Sequence, residues 1–66
     1  MKVFVNSQEK NVMDGLTVEG LVKELGMRRE GTAIELNREI VPKARYAAMI
    51  LKPNDRLEIV TFVGGG

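Results

Sequence analysis

One stretch of helical periodicity among alternating segments constrains the fold of this chain more than any other feature. Its apolar positions recur at the three- and four-residue spacings of one helix face, and they are Val18, Leu21, Val22 and Leu25. Thr17 is suited to cap the helix at its N-terminus, and Glu19 puts a negative charge in the first turn. Gly26 stands where a glycine commonly ends a helix. The pattern predicts one short helix that is capped by Thr17 and ended by Gly26.

Segments that alternate between apolar and polar residues predict strands on both sides of this helix. The predicted strands cover residues 2–6, 10–14, 32–37, 39–41 and 56–62. A polar turn at residues 7–10 would join the first two strands into a hairpin. Pro42 ends the fourth strand because it cannot donate to a ladder. Residues 43–49 have the composition of one helical or 3₁₀ turn, and residues 52–55 predict a turn in which Asn54 adopts a left-handed conformation.

The order of these elements predicts an α+β fold. A right-handed crossover through the helix would place the last strand beside the first and parallel to it, which is the ubiquitin-like β-grasp arrangement. We therefore expect a mixed sheet of four to five strands with one packed helix. Residues 1–62 would form this domain, and residues 63–66 a flexible, extended glycine tail. The expected core residues are Val3, Val5, Val18, Leu21, Val22, Leu25, Ile34, Leu36, Leu57 and Ile59.

Composition narrows the classes of function. The chain has 66 residues, so it forms one small domain, and it contains neither cysteine nor histidine. Without these residues we expect no disulfide framework, no metal site and no enzyme built on a nucleophile and base. The net charge of +1 does not suggest a nucleic-acid binder. No apolar stretch approaches the roughly 20 residues of a membrane span, and we expect a cytoplasmic protein that associates with no membrane.

The last predicted strand carries apolar residues on both faces. Leu57 and Ile59 are expected to face the core, which leaves Val60 and Phe62 on the opposite face, where Phe4 is a further candidate. Sheets covered on one side usually present polar residues on the other. Two interpretations stand side by side: a patch that docks a partner, or scattered exposed apolar residues of the kind that most proteins have.

Three glycines, Gly64, Gly65 and Gly66, follow this strand after Val63. They could be a frayed end or a remnant of cloning. A third interpretation is chemical, since a thread without side chains can enter a narrow channel and bring a carboxylate to a buried active site. Such a carboxylate is ionised at neutral pH and is a poor electrophile. It would need activation, for example as an acyl-adenylate.

Several segments resemble one family. They are "VFVN", "DGLTVEGLVKEL", "IELNREIVPKARY" and "NDRLEIVTFVGGG", which together cover nearly the whole chain. Among ubiquitin-like β-grasp proteins they are most similar to the ThiS-type sulfur carriers of thiamin biosynthesis, and "NREIVP" and "LEIVTFVGGG" are specific for that family. The chain departs from the pattern at Asn54, where the family usually has glycine before Asp55, and at Tyr46, where other aromatics occur.

This resemblance implies a protein cosubstrate with no catalytic residues and no bound cofactor. The Gly66 carboxylate would be adenylated with ATP by an E1-like enzyme of the ThiF or MoeB type. A sulfur-transfer donor would convert it to a thiocarboxylate (1-thioglycine), and thiazole synthase would take the sulfur. Gly64 and Gly65 would line the path of the tail, while Val60, Phe62 and Val63 would dock on partners.

Other functions fit the same scaffold. A MoaD-type subunit would feed molybdopterin synthesis, a ubiquitin-like modifier would form isopeptide bonds through Gly66, and a TGS-like interaction module would not need a free glycine end. Five basic residues are either a face for an acidic partner or surface charges paired with nearby glutamates: Arg28, Arg29, Arg38, Lys43 and Arg45.

Overall fold

A mixed five-stranded sheet packs against one α-helix in the computed structural model, which describes residues 1–62. The strands are β1 (Lys2–Val5), β2 (Gln8–Asn11), β3 (Thr32–Leu36), β4 (Glu39–Ile40) and β5 (Arg56–Thr61). Their order across the sheet is β2-β1-β5-β3-β4, with β1 and β5 parallel and the other pairs antiparallel. The predicted α+β class, the β-grasp topology and the parallel pairing of first and last strands are confirmed.

The helix α1 (Val18–Glu24) begins and ends where the sequence predicts. The hydroxyl oxygen of Thr17 accepts a hydrogen bond from the Gly20 N–H at 3.0 Å, which satisfies one of the free donors of the first turn. At the other end Gly26 has a φ of +73° and its N–H donates to the Lys23 carbonyl at 3.0 Å. This is the left-handed glycine stop that suits a residue without a Cβ.

The first hairpin differs from its prediction. The predicted hairpin is confirmed, but the predicted bounds of its turn (7–10) and of its second strand (10–14) are wrong, because the turn consists of Asn6 and Ser7 alone and β2 spans Gln8–Asn11. Asn6 and Ser7 have φ values of 50° and 70°, the positive pair that a type I′ turn requires and that matches the twist of the strands. The polar residues after the turn therefore form an exposed edge strand, which resists pairing with other chains.

Two later turns also place residues other than glycine at positive φ. Asn37 and Arg38 form a second two-residue turn between β3 and β4, with φ values of 51° and 72°. Before β5, Asn54 has the expected positive φ, 68°, so a non-glycine residue is accommodated in this turn. A short 3₁₀ turn, Lys43–Arg45, occupies the segment predicted as one helical turn, and another, Arg29–Gly31, precedes β3.

The core lies between α1 and one face of the sheet. Seven of the ten expected core residues are buried: Val3, Val18, Leu21, Val22, Ile34, Leu57 and Ile59. The other three are partly buried and pack against the core's edge: Val5, Leu25 and Leu36. Four buried residues were not predicted: Val12, Val41, Tyr46 and Leu51. Tyr46 and Leu51 lie between the periodic segments, where local pattern carries no signal for burial. Val12 and Val41 lie in the predicted strands 10–14 and 39–41, whose alternation is too weak or too short to indicate a buried face.

Tyr46 is the largest fully buried side chain, although the sequence assigned it no role. Its hydroxyl lies 3.3 Å from the hydroxyl oxygen of Thr32, which in turn donates to the Arg29 carbonyl at 3.0 Å. The Tyr46 carbonyl accepts from the Glu19 N–H at 3.0 Å. One residue thus connects the segment after β4 to both α1 and β3.

No helix within residues 1–62 is both long enough and apolar enough to cross a membrane.

Candidate functional site

The last strand presents its apolar residues on two faces, as the sequence predicts. Leu57 and Ile59 are buried in the core, while Val60 and Phe62 remain 58% and 56% exposed. These two side chains lie on the face of the sheet that α1 does not cover. Their exposure is a consequence of strand alternation, because neighbours along a strand point to opposite faces.

Two further residues extend this apolar surface. Ala33 on β3 is the register partner of Val60, and Ile40 on β4 is 77% exposed. Ala33, Ile40 and Val60 line a concavity of about 140 Å³ on the open face. We refer to Ala33, Ile40, Val60 and Phe62 as the docking face. Neither Ala33 nor Ile40 was predicted from the sequence to belong to this surface. Alternation could have indicated Ile40, because its neighbour Val41 faces the core and adjacent residues of a strand point to opposite faces.

Phe62 is held at the end of the described chain by two neighbours. Its backbone N–H donates to the Gly31 carbonyl at 2.9 Å, which continues the pairing of β5 with the segment before β3. The ammonium nitrogen of Lys43 lies 5.8 Å from the centre of its ring, within the range of a cation–π interaction. The docking face therefore ends in an aromatic ring accompanied by a positive charge.

Phe4 shares this face of the sheet but lies at its other end. In the register of β1 and β5, Phe4 is the partner of Arg56, four residues before Val60. The guanidinium carbon of Arg56 lies 4.5 Å from the Phe4 ring centre, and the Lys2 nitrogen lies 5.6 Å from it. Phe4 belongs to this cationic cluster and not to the docking face.

The buried polar side chains within residues 1–62 stabilise turns and loops. Thr32 bonds to Arg29 as described above, and Asp55 accepts from the Asn37 side-chain amide at 3.0 Å and from the Lys52 N–H at 2.7 Å. Over the same residues, the structure contains no group of three or more acidic, histidine or cysteine side chains that could hold a metal ion.

Three of the five basic residues lie in different surroundings: Arg29, Arg38 and Lys43. Arg29 forms ion pairs with Glu19 at 3.5 Å and with Glu30 at 3.9 Å. Lys43 accompanies Phe62, and Arg38 lies in the turn between β3 and β4. Of the two interpretations of the basic residues, pairing with nearby glutamates is therefore confirmed for Arg29. Lys43 instead lies beside Phe62 of the docking face.

The tail residues Val63, Gly64, Gly65 and Gly66 lie outside the described residues. Docking by Val63, passage of Gly64 and Gly65 through a channel, and sulfur carriage by Gly66 stay predictions.

Comparison with known proteins identifies relatives over the whole sequence. A family model described as "ThiS family" matches residues 1–66. The chain is 47% identical over 66 residues to a thiazole synthase of Paramagnetospirillum magneticum, and the match covers all of this chain and 20% of that protein. It is 30% identical to the sulfur carrier protein ThiS of Escherichia coli, over the full length of both.

A solved structure supports the same relationship. The crystal structure of a thiamine biosynthesis protein (ThiS) from Geobacter metallireducens matches with a TM-score of 0.84 and 30% sequence identity, covering 100% of both chains. The fold and the sequence thus point to one group of relatives. The chain spans only about a fifth of the length of the thiazole synthases that it matches.

Proposed function

Because the chain belongs to the ThiS family over its whole length, we propose that it is a sulfur carrier protein for the thiazole moiety of thiamin. The observation that carries this proposal is the full-length similarity to a named sulfur carrier protein of the same size. In this role the chain is a cosubstrate, and the chemistry is performed by its partners. The relatives reported above are named for sulfur carriage and thiazole synthesis, which favours this function over a MoaD-type role.

Sulfur would be carried on the carboxylate of Gly66. An E1-like adenylating enzyme would join this carboxylate to the α-phosphate of ATP, forming an acyl-adenylate and releasing pyrophosphate. Sulfur at the oxidation level of sulfide, delivered by a transfer donor, would attack the carbonyl carbon and displace AMP. The activation step is needed because a carboxylate itself resists nucleophilic attack. The resulting thiocarboxylate is a nucleophile that remains covalently attached to its carrier.

The docking face would hold the carrier on the adenylating enzyme. Val60 and Phe62 are exposed apolar residues at the end of the strand that leads to the tail. Binding through them would position the following residues relative to the partner's active site. Val63, Gly64 and Gly65 would then provide the connection, and bare backbone allows close approach to catalytic groups.

Thiazole synthase is the proposed acceptor of the sulfur. Its support is that two thiazole synthases, from Paramagnetospirillum magneticum and Magnetococcus marinus, each contain a region similar to all of this chain. A carrier and an acceptor that occur within one polypeptide are expected to act in sequence. Thiazole synthase would therefore act after the adenylating enzyme in the transfer.

Intact-mass measurement tests this function. The protein would be incubated with ATP, the E1-like enzyme and the sulfur donor of the same organism, and its mass compared before and after. We expect release of pyrophosphate and the mass increase of one oxygen replaced by sulfur, located on Gly66 by fragmentation. A matched protein that lacks Gly66 should show neither. Pyrophosphate release that does not depend on Gly66, or a native mass showing further residues attached to it, would contradict the proposal.

A further inference from the structure

The concavity on the docking face has an apolar floor and an acidic wall. Its lining residues are Ala33, Ile34, Ile40 and Val60, which are apolar, and Glu35 and Glu58. The two glutamates are register partners on β3 and β5, so their side chains leave the same face of the sheet side by side. Both are exposed. An apolar floor beside two carboxylates is an unusual combination for a surface that binds only apolar side chains.

Two like charges directly opposite each other on adjacent strands destabilise a sheet. Among residues 1–62 the ion pairs join Met1 to Asp14 and Arg29 to Glu19 and Glu30, and none includes Glu35 or Glu58. Arg38 and Arg56 line a neighbouring concavity together with both glutamates, but neither arginine forms an ion pair with them, and the Arg56 guanidinium lies over the Phe4 ring. Within residues 1–62 the free protein therefore has two cations near this acidic pair but no direct ion pair to either carboxylate.

The chemistry of the concavity selects its occupant. A purely apolar side chain would cover two carboxylates and leave them unpaired, which costs free energy. A long basic side chain fits both parts, because its methylene stem can lie along apolar surface while its charged head stays polar. Of the two long basic residues, arginine has the planar fork of donors that can serve two carboxylates together.

We propose that the adenylating enzyme inserts an arginine into this concavity, with its stem on Ala33, Ile40 and Val60 and its guanidinium on Glu35 and Glu58. This inference rests on the proposed function and specifies how the partner is recognised. We assign the arginine to the adenylating enzyme because this enzyme must bind the carrier first, before any sulfur is attached to Gly66. The two carboxylates, which form no ion pair within residues 1–62 of the free protein, would then gain a charge-assisted contact in the complex.

The test compares binding with stability in one variant. Glu35→Gln combined with Glu58→Gln removes both charges and keeps side-chain size. We expect its Kd for the E1-like enzyme, measured by titration calorimetry, to rise about tenfold or more, since charge pairs at interfaces act strongly when desolvated. Its melting temperature should change little, because both glutamates are exposed and form no ion pair within residues 1–62. Glu9→Gln with Glu24→Gln, an equal charge change at exposed sites on β2 and α1, should leave the Kd unchanged.

A second variant separates insertion from long-range attraction. Ala33→Leu fills the concavity with an apolar side chain and keeps both carboxylates. It should weaken binding if a side chain must enter, whereas attraction at a distance would be unaffected. If either variant keeps the wild-type Kd while the wild-type protein still becomes a thiocarboxylate, the inference is overturned and the proposed function is not. A wild-type carrier that neither binds the enzyme nor becomes charged would overturn both.

Discussion

The side-chain amide of Asn6 forms two hydrogen bonds with the backbone of Ile59: Nδ2 donates to the carbonyl at 3.2 Å, and Oδ1 accepts from the N–H at 2.8 Å. Asn6 is the first residue of the turn between β1 and β2, where the main chain leaves its pairing with β5. The amide takes over the pairing that the backbone can no longer provide. These bonds hold β5 in place at Ile59, the residue before Val60. Val60 is the first residue of β5 that belongs to the docking face.

Asn6→Gly should isolate the value of these two bonds. Glycine accepts the positive φ of this position at least as well as asparagine does, so the turn itself is preserved. The loss of two hydrogen bonds should lower the free energy of unfolding by about 1–3 kcal/mol, measured by urea denaturation. Ser7→Gly is the matched control, since Ser7 also has a positive φ but no side-chain hydrogen bond in residues 1–62. Equal stability of the two variants would refute the role given to the amide.

The buried hydroxyls of Thr32 and Tyr46 predict which of two substitutions lowers the free energy of unfolding more. Thr32 donates its single hydroxyl hydrogen to the Arg29 carbonyl, so Tyr46 must be the donor in the bond between them. Tyr46→Phe removes that donor and should cost about 0.5–1.5 kcal/mol. Thr32→Val leaves the buried Tyr46 hydroxyl without its acceptor and should cost more, about 1–3 kcal/mol. Denaturation curves that reverse this order would show that the hydroxyls are oriented differently.

The bounds of an element could be predicted from the sequence where its apolar periodicity extends over many residues. They could not be predicted where contacts between separate segments determine the local structure. The helix from Thr17 to Gly26 carries both caps and an apolar face in its local pattern, so its bounds could be predicted. The first hairpin could not, because its polar residues suggested a longer loop than the two residues that turn. Both two-residue turns start with an asparagine at positive φ, Asn6 in the first hairpin and Asn37 in the second. This shared residue type was the available sequence signal for the position of the first turn.

The candidate site was predictable only in part, for a related reason. Val60 and Phe62 follow from alternation along one strand, which a single segment reveals. Ala33 and Ile40 join them through the pairing of separate strands. The concavity and its acidic wall depend on the register of β5 with β3, and register is set by the assembled sheet. A single sequence shows which residues face outward but not which of them become neighbours.

Phe62→Asp should impair docking more than folding. Phe62 is 56% exposed, so its replacement removes little core packing, while a charge placed in an apolar contact opposes partner binding. We expect a melting temperature close to that of the native protein and a clearly weaker affinity for the E1-like enzyme in titration calorimetry. Ile50→Asp is the matched control, because Ile50 is similarly exposed, at 57%, and lies outside the docking face. A folded Phe62→Asp protein with native affinity would remove Phe62 from the interface.

The tail gives the last prediction, which rests on the sequence and the family. Gly65→Val should sharply reduce adenylation, since a β-branched side chain would crowd a channel that admits bare backbone. Adding two residues after Gly66 should abolish charging, because the reacting carbon would be displaced by about 3.3–3.6 Å per residue, and even about 1 Å of misplacement can cost about 100-fold in rate. Gly31→Val, a β-branched replacement of a glycine with open space around its Cβ position, serves as the control. Pyrophosphate release and intact mass measure charging, and thermal denaturation measures the fold. Charging of the extended protein at the native rate would show that the terminal carboxylate of Gly66 is not the site of activation.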